Sequence, residues 1–386
     1  MTLSAIIFGV VGLILSGGFV RDLFHQIGEA TIHSQLGHIQ VFANGYYDSG
    51  SRSPDKFLIP ESARRAQLIA RLPEVKEVMA RISFSGLLNN GHTDWPIFGE
   101  GVEPDAETRL GTYVVIRAGR ALTDRDSNGI LLGSGAAQAL DVKPGDSVVL
   151  LMNTAEGALN TIDLEVVGIF ESFSKEYDAR AVRIHIDAAR KLLAVHEANS
   201  LVVLLHETED TDTVAQLLRD KLGPLGLDVR VWYLLADFYE KTVKLYDAQF
   251  KVLQLIVLLM VLLTVFNTVN MGTFERIGEF GTMMALGNRR RDVFRLVITE
   301  NFLLGVLGAG LGCMIGVIAA LGISHAGIPM PPPPNSNVGY VAQIRVVPSV
   351  VALAALVGLG ATMLASLLPA RRVSRMPPVE ALRFNI

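Results

Sequence analysis

The chain has 386 residues, of which 50% are hydrophobic and 19% charged, with a mean hydropathy of +0.38 and a formal net charge of −4. This is too apolar for an ordinary soluble protein and too charged for one lying wholly inside a bilayer, and the length allows two domains. The charge balance gives no reason to expect nucleic acid as a partner. The single cysteine, Cys313, excludes an intrachain disulfide and offers no thiol pair to a metal.

In chain order, the first feature is an uncharged run, Met1 to Val20 (MTLSAIIFGVVGLILSGGFV). About 20 apolar residues suffice to cross a hydrocarbon core of about 30 Å as a helix. The run lacks the basic start and the small-residue cleavage site of a secretory signal, so residues 1–20 are expected to stay as a first transmembrane helix. The spacing of Leu23, Phe24, Ile27 and Ala30 carries the helix further.

Residues 21–246 read as an extracytoplasmic α+β domain. GHIQVF and GLLNNGHTDWPIFGEGV look like strands, with a hairpin turn at Asn89-Asn90-Gly91, where Asn and Gly tolerate positive φ. Pro60 to Leu72 has the pattern of an amphipathic helix. Ile130 to Leu132, Ser147 to Met152 and Asp163 to Phe170 read as strands. Gly133 to Leu140 and Asp187 to Leu193 read as helices. Ser200 to Leu205, Asp212 to Leu222 and Asp228 to Trp232 are expected to form a β-α-β unit. The scattered histidines have no metal-ligand spacing and read as surface or packing residues.

From residue 247 the chain turns apolar again. Residues 247–273 read as a second crossing, 293–325 as a third and 346–370 as a fourth. Between the third and fourth, 326–345 holds Pro331 to Pro334, which cannot donate backbone hydrogen bonds and predict a stiff extended loop. A basic tail, 371–386, ends the chain. Arginines cluster at Arg289, Arg290, Arg291 and Arg295 and again at Arg371, Arg372, Arg375 and Arg383. The positive-inside rule places both clusters in the cytoplasm and the large domain outside.

The segment 274–288 is the charged stretch between the second and third crossings. It predicts one short helix, Phe274 to Leu286, terminated by Gly287, with Asn288 capping the next helix. Ile277, Phe280, Met283 and Met284 are apolar side chains that call for a cover. Gly308, Gly312 and Gly316 on the third crossing, and Ala354, Gly358, Thr362 and Ser366 on the fourth, form small-residue stripes suited to close helix packing. The first and second crossings carry bulkier groups: Ile6, Phe8, Leu13, Leu253, Val257, Met260 and Val261. These face lipid or, if two copies pair, line an apolar cargo cavity formed by Leu253, Val257, Met260 and Val261. No G-x-x-x-x-G-K-[ST] phosphate loop occurs, and no catalytic or metal-binding constellation stands out.

Three segments resemble a known family. ERIGEFGTMMALGNRRRDVFRLVITENFLLGVLGAGLG is similar to the core of FtsX-like and MacB-type permease domains. LLPARRVSRMPPVEALR resembles their closing segment, and GRALTDRDSNGILLGSGAAQALDVKPGDSVVL with VVGIF their periplasmic core domain. Gly281, Ala285, Leu286, Gly287, Pro369, Arg371, Arg372, Pro378, Glu380 and Leu382 match directly. Met284 stands where a basic residue is usual and Asn288 where a small one is usual, which bears on the docking partner.

The resemblance implies a type VII ABC transporter permease, closest in layout to the lipoprotein-releasing permeases LolC and LolE. Its fold would be four transmembrane helices plus a large MacB-type periplasmic domain. Residues 274–288 would be the coupling helix, with Glu275, Arg276, Glu279, Phe280, Gly281, Met284, Ala285, Leu286, Gly287, Arg289 and Arg290 coupling to the ATPase. ATP and Mg would bind two copies of a separate ATPase subunit, leaving this chain without a cofactor and not itself an enzyme. Further implied partners are a second permease (this chain or a paralogue), membrane lipid, and a periplasmic carrier or adaptor protein. The implied setting is the inner (cytoplasmic) membrane. The implied activity is extraction or export of a lipoprotein or other lipophilic cargo by mechanotransmission. The alternatives are an FtsX-like signalling scaffold that activates a cell-wall hydrolase, and MacB-like efflux of small compounds.

Overall fold

The computed structural model describes residues 2–49, 57–154, 157–332, 336–337, 339–377 and 381. Pro333 and Pro334, and Pro378, Glu380, Leu382 and Arg383 of the tail, lie outside the described residues. The chain divides into two compact units. One comprises Gln26–Glu240 with Pro331–Tyr340; the other comprises Met1–His25, Lys241–Met330 and Val341–Ile386.

Helix α1 spans Thr2–Thr31 and passes into a π-helical turn, Ile32–Leu36, ended by Gly37. The elements that follow are β1 (Ile39–Ala43), α2 (Tyr46–Ser49), α3 (Ser62–Ile69), β2 (Val75–Asn89), β3 (Asp94–Val102), α4 (Pro104–Leu110) and β4 (Val115–Gly119). Next come β5 (Gly129–Gly133), α5 (Ser134–Leu140), β6 (Ser147–Asn153), β7 (Leu159–Glu171), α6 (Lys175–Asp178), β8 (Ala181–His185) and α7 (Ile186–Leu193). The unit closes with β9 (Ser200–Leu205), α8 (Thr211–Leu222), β10 (Leu227–Val231) and α9 (Trp232–Leu235).

Strand β2 organises this unit. Its first half pairs with β9 and its second half with β3, turning at Gly91, whose φ is +91°. The pairs β3–β8, β8–β5, β5–β7, β7–β6 and β6–β2 close a circuit, so these strands form a barrel. Phe84, Ile97, Ile130, Leu132, Val148, Leu150, Val166 and Ile184 fill its core. Strands β9, β1 and β10 extend from β2 as a wing. The β-α-β unit expected over 200–232 is a split one. Strands β9 and β10 are not neighbours, because β1 lies between them and runs antiparallel to both. The reason is burial. Four of the five β1 residues are buried, and an apolar strand with both edges paired leaves no backbone group unsatisfied. Nothing local to 200–232 signals an insertion from so far upstream.

The remaining elements are α10 (Asp237–Glu275), α11 (Ile277–Ala285), α12 (Arg290–Ala326), β11 (Ile328–Met330), β12 (Tyr340–Ala342) and α13 (Pro348–Ser374). Among the described residues, four helices are long and apolar enough to cross a membrane: α1 with its π turn, α10, α12 and α13. Three details differ from expectation. The single helix 274–286 is shorter, because Phe274 and Glu275 still belong to α10. Asn288 is not the cap of α12; that position is Arg289, whose N–H donates to Asp292 Oδ2 at 3.0 Å. The segment after α12 is not all extended loop, since β11 and β12 pair as a short ribbon.

Small residues let the helices of this unit approach closely. A Cβ added to Gly308, Gly312 or Gly316 would lie 2.9, 2.8 or 2.9 Å from the side chains of Ile6, Val10 or Ile14. Gly358 meets Val10 in the same way at 2.6 Å, and Ala354, Thr362 and Ser366 are buried beside it. The face of α10 carrying Val261, Val265 and Val269 packs into the same cluster. The two small-residue stripes therefore serve contacts within one chain.

Candidate functional site

The charged stretch between α10 and α12 folds into an elbow. Arg276 is the single non-helical residue between α10 and α11, at φ −102° and ψ 13°. Gly287 then takes φ +105°, a conformation that a Cβ disfavours, and ends the turn after α11. Ile277, Phe280, Met283 and Met284 call for a cover. The structure supplies much of it from the chain itself. Ile277 and Phe280 are 2% exposed, packed against Val293 and Val297 of α12 and Ala370 and Val373 of α13, with Met283 and Met284 partly buried alongside.

The free face of the elbow is consequently smaller than the segment. Glu275, Glu279, Ala285, Leu286, Gly287, Asn288, Arg289 and Arg290 are exposed; Arg276 and Met284 are half-buried; Phe280 and Gly281 are buried. Leu286 stands out at 83% exposed. An exposed leucine followed closely in the chain by the exposed arginines 289–291 is the kind of feature that a partner protein covers.

Two residues to which the sequence assigns no part in this elbow brace it. Glu300 on α12 takes a bidentate pair from Arg276 Nη1, at 2.7 and 2.9 Å. Arg372 on α13 lies over the Phe274 ring, 5.3 Å from its centroid. Glu300 had a usable signal, as the last carboxylate before the uncharged run from Asn301.

Leu253, Val257, Met260 and Val261 fall within one arc of about 100° on α10. Leu253 and Met260 are exposed, Val257 is half-buried, and Val261 is 9% exposed within the helical cluster. One edge of the arc, at Val261, is therefore occupied by packing within the chain, and Leu253 and Met260 carry the open part.

The barrel unit holds a second constellation that sequence reasoning missed. Arg81 and Arg183 are buried with Glu100 and Glu107, and the half-buried Tyr177 lies against them. Arg81 Nη2 donates to Glu107 at 2.8 Å, Arg183 Nε to Glu100 at 3.3 Å, and the Tyr177 hydroxyl to Glu100 at 2.9 Å. Arg183 also donates to the Ser34 carbonyl at 2.9 Å, and Arg81 to that of Gln35, so both arginines grip the π turn after α1. Burial alone would raise the Glu100 carboxyl, but Arg81 and Arg183 outweigh it and hold it below the usual range. Among the described residues, no cluster of histidine, cysteine, aspartate or glutamate is placed to hold a metal ion.

The profile of the MacB-like periplasmic core domain matches residues 1–221. The chain belongs to this family. The profile of the FtsX-like permease C-terminal region matches residues 251–378 of this MacB-like chain. The lipoprotein-releasing system transmembrane protein LolE of Haemophilus influenzae is 21% identical, over 97% of this chain and 90% of its own. LolC of Xylella fastidiosa is 25% identical, over 81% of this chain and 79% of its own. The macrolide export ATP-binding/permease protein MacB of Hyphomonas neptunium is 25% identical, over 82% of this chain but 48% of its own. The periplasmic region of MacB from Actinobacillus actinomycetemcomitans covers 53% of this chain at 16% identity, with a TM-score of 0.39. The MacB-like chain is thus an ABC transporter permease subunit of the LolC/MacB type, a multi-pass membrane protein with a periplasmic-type domain. The elbow lies inside its FtsX-like half.

Proposed function

We propose that this permease converts ATP binding by a separate ATPase subunit, present twice per complex, into motion of its periplasmic domain, and that the moved cargo is a lipoprotein or another lipid-linked molecule. The observation that carries the reading is the elbow. It is a short helix braced on α12 and α13, and its remaining free face carries an exposed leucine followed closely by arginines. The elbow also directly follows α10, whose 39 residues extend about 58 Å, well beyond a hydrocarbon core of about 30 Å. A push on α11 thus has a continuous rod to travel along. ATP and Mg belong to the ATPase in this reading, since the chain has no phosphate-binding loop. A second permease would complete the complex, with a periplasmic carrier or adaptor to receive cargo, in the inner membrane. The LolC and LolE relatives, aligned over most of both chains, favour lipoprotein release. The MacB relative, at the same identity as LolC, keeps small-compound export as the second reading.

The test is co-purification. The tagged chain should capture an ABC ATPase and raise its turnover in lipid vesicles, and Leu286→Arg should abolish capture. A chain that captures no ATPase, or a variant that captures it undiminished, removes the coupling role. Release of a fluorescent acylated peptide from vesicles, compared with efflux of an uncharged dye, separates the two cargo classes.

A further inference from the structure

We infer that Arg276 is a positioning residue rather than an ATPase contact: paired with Glu300, it sets the angle at which α11 is presented. The inference rests on the reading that α11 is the docking helix.

The guanidinium is held by groups of this chain. Nε donates to Glu279 Oε2 at 3.0 Å, Nη1 donates to both oxygens of Glu300, and the ring of buried Phe280 lies 5.3 Å below it. One side chain at a one-residue break therefore ties α11, which carries Glu279 and Phe280, to α12, which carries Glu300.

Stability alone does not account for this arrangement. Arg276 and Glu300 are 40% and 44% exposed, and pairs so open to solvent add little to stability. The apolar contacts of Ile277 and Phe280 already hold α11 against its neighbours. Those contacts are non-directional and leave rotation and sliding weakly specified. The guanidinium is planar and rigid, so its Nε bond to Glu279 on α11 and its Nη1 bonds to Glu300 on α12 survive together only within a narrow range of angles between the two helices. Glu300 also lies where the charged part of α12 gives way to its uncharged run, a place where a carboxylate is costly without a partner.

The experiment is a charge exchange with two readouts. In the full chain in complex with its ATPase, Arg276→Glu and Glu300→Arg should each lower ATP turnover by about fivefold or more while ATPase capture persists. The double variant, Arg276→Glu with Glu300→Arg, should recover part of the lost turnover, because it restores the 276–300 pair but not the contacts to Glu279 and Phe280. Independently of any ATPase, spin labels at Ala285→Cys and Leu303→Cys in the Cys313→Ala chain should give a narrow distance distribution. Either single reversal should broaden it, and the exchange should narrow it again. Single variants with unchanged distances, or a double variant no narrower than the singles, overturn the inference. Loss of ATPase capture by the parent chain would instead overturn the docking reading and leave the distance test intact.

Discussion

At the scale of single residues, two buried titratable groups of the barrel unit have opposite pH dependence. His38 is 1% exposed. The Leu205 N–H donates to its Nδ1 at 3.2 Å, so Nε2 carries the proton and donates to Thr208 Oγ1 at 3.0 Å. Burial, reinforced by neighbouring His33, lowers its pKa to about 4. Asp178, also 1% exposed, accepts from Ser172 N at 2.9 Å and from Asn337 Nδ2 at 2.6 Å, and burial raises its pKa to about 6. Between pH 6.5 and 4 the unfolded histidine takes up a proton that the folded one refuses, so stability falls as pH falls. Between pH 4 and 6 the unfolded aspartate ionises before the folded one, so stability falls as pH rises. Each shift corresponds to about 3 kcal/mol at most, and the two nearly cancel. His38 and Asp178 together should therefore add little net slope to the thermal midpoint between pH 4.5 and 7. Asp178→Asn should make the protein steadily more stable towards pH 7, and His38→Gln should reverse that slope. Equal slopes in the two variants would contradict the assignment. Neither position was legible in the sequence, where His38 is an isolated histidine and Asp178 one acid among many. Their burial arises from the fold, which brings Thr208 and Asn337 from distant segments.

At the scale of elements, strong apolar periodicity made helices and strands readable, and their ends less so. The four long helices and most barrel strands stand where hydropathy put them. The α10–α11 boundary is not legible in the sequence, because no glycine or proline stands at the break itself; the residue there, Arg276, is paired with Glu300, 24 residues on. The small-residue stripes were legible as stripes, but the partner helix was not. That partner is now α1, which gives a paired prediction. Gly308→Leu forces a side chain into Ile6 and should lower the thermal stability of the purified chain by about 1–3 kcal/mol. Gly310→Leu, two residues on and with nothing within 4 Å, should leave it within about 0.5 kcal/mol. Equal losses from the two would contradict the packing of α12 on α1. Gly287→Val places a branched residue at φ +105° and should cost about 1–3 kcal/mol of local strain, read as faster proteolysis between α11 and α12.

At the scale of the whole molecule, the proposal has a topological requirement. The elbow and the barrel must face opposite compartments. Cysteines placed at Asn288 and at Leu159, which is 69% exposed, should label from opposite sides of sealed vesicles with a membrane-impermeant reagent. Labelling of both from one side would remove the coupling role altogether. The two-part organisation was legible because the uncharged runs are long and the domain between them is not apolar enough to join them. The barrel closure and the split β9–β10 arrangement were not, because each depends on pairings between strands far apart in sequence. How much of the elbow its own chain covers was not legible for a related reason. Apolar side chains on a connecting helix do not reveal whether their cover comes from another protein or from their own chain.

The Arg81, Glu100, Glu107 and Arg183 cluster carries a lesson for anyone recombining relatives of this chain. Its charges cancel as a set, and removing one member strands a buried ion at a cost of about 3–5 kcal/mol. A chimera whose junction falls between Arg81 and Arg183 is safe when both donors share the quartet, and otherwise inherits half of it. Crossover points for swapping cargo specificity therefore belong before Arg81 or after Arg183, so that the four residues travel as a single cassette.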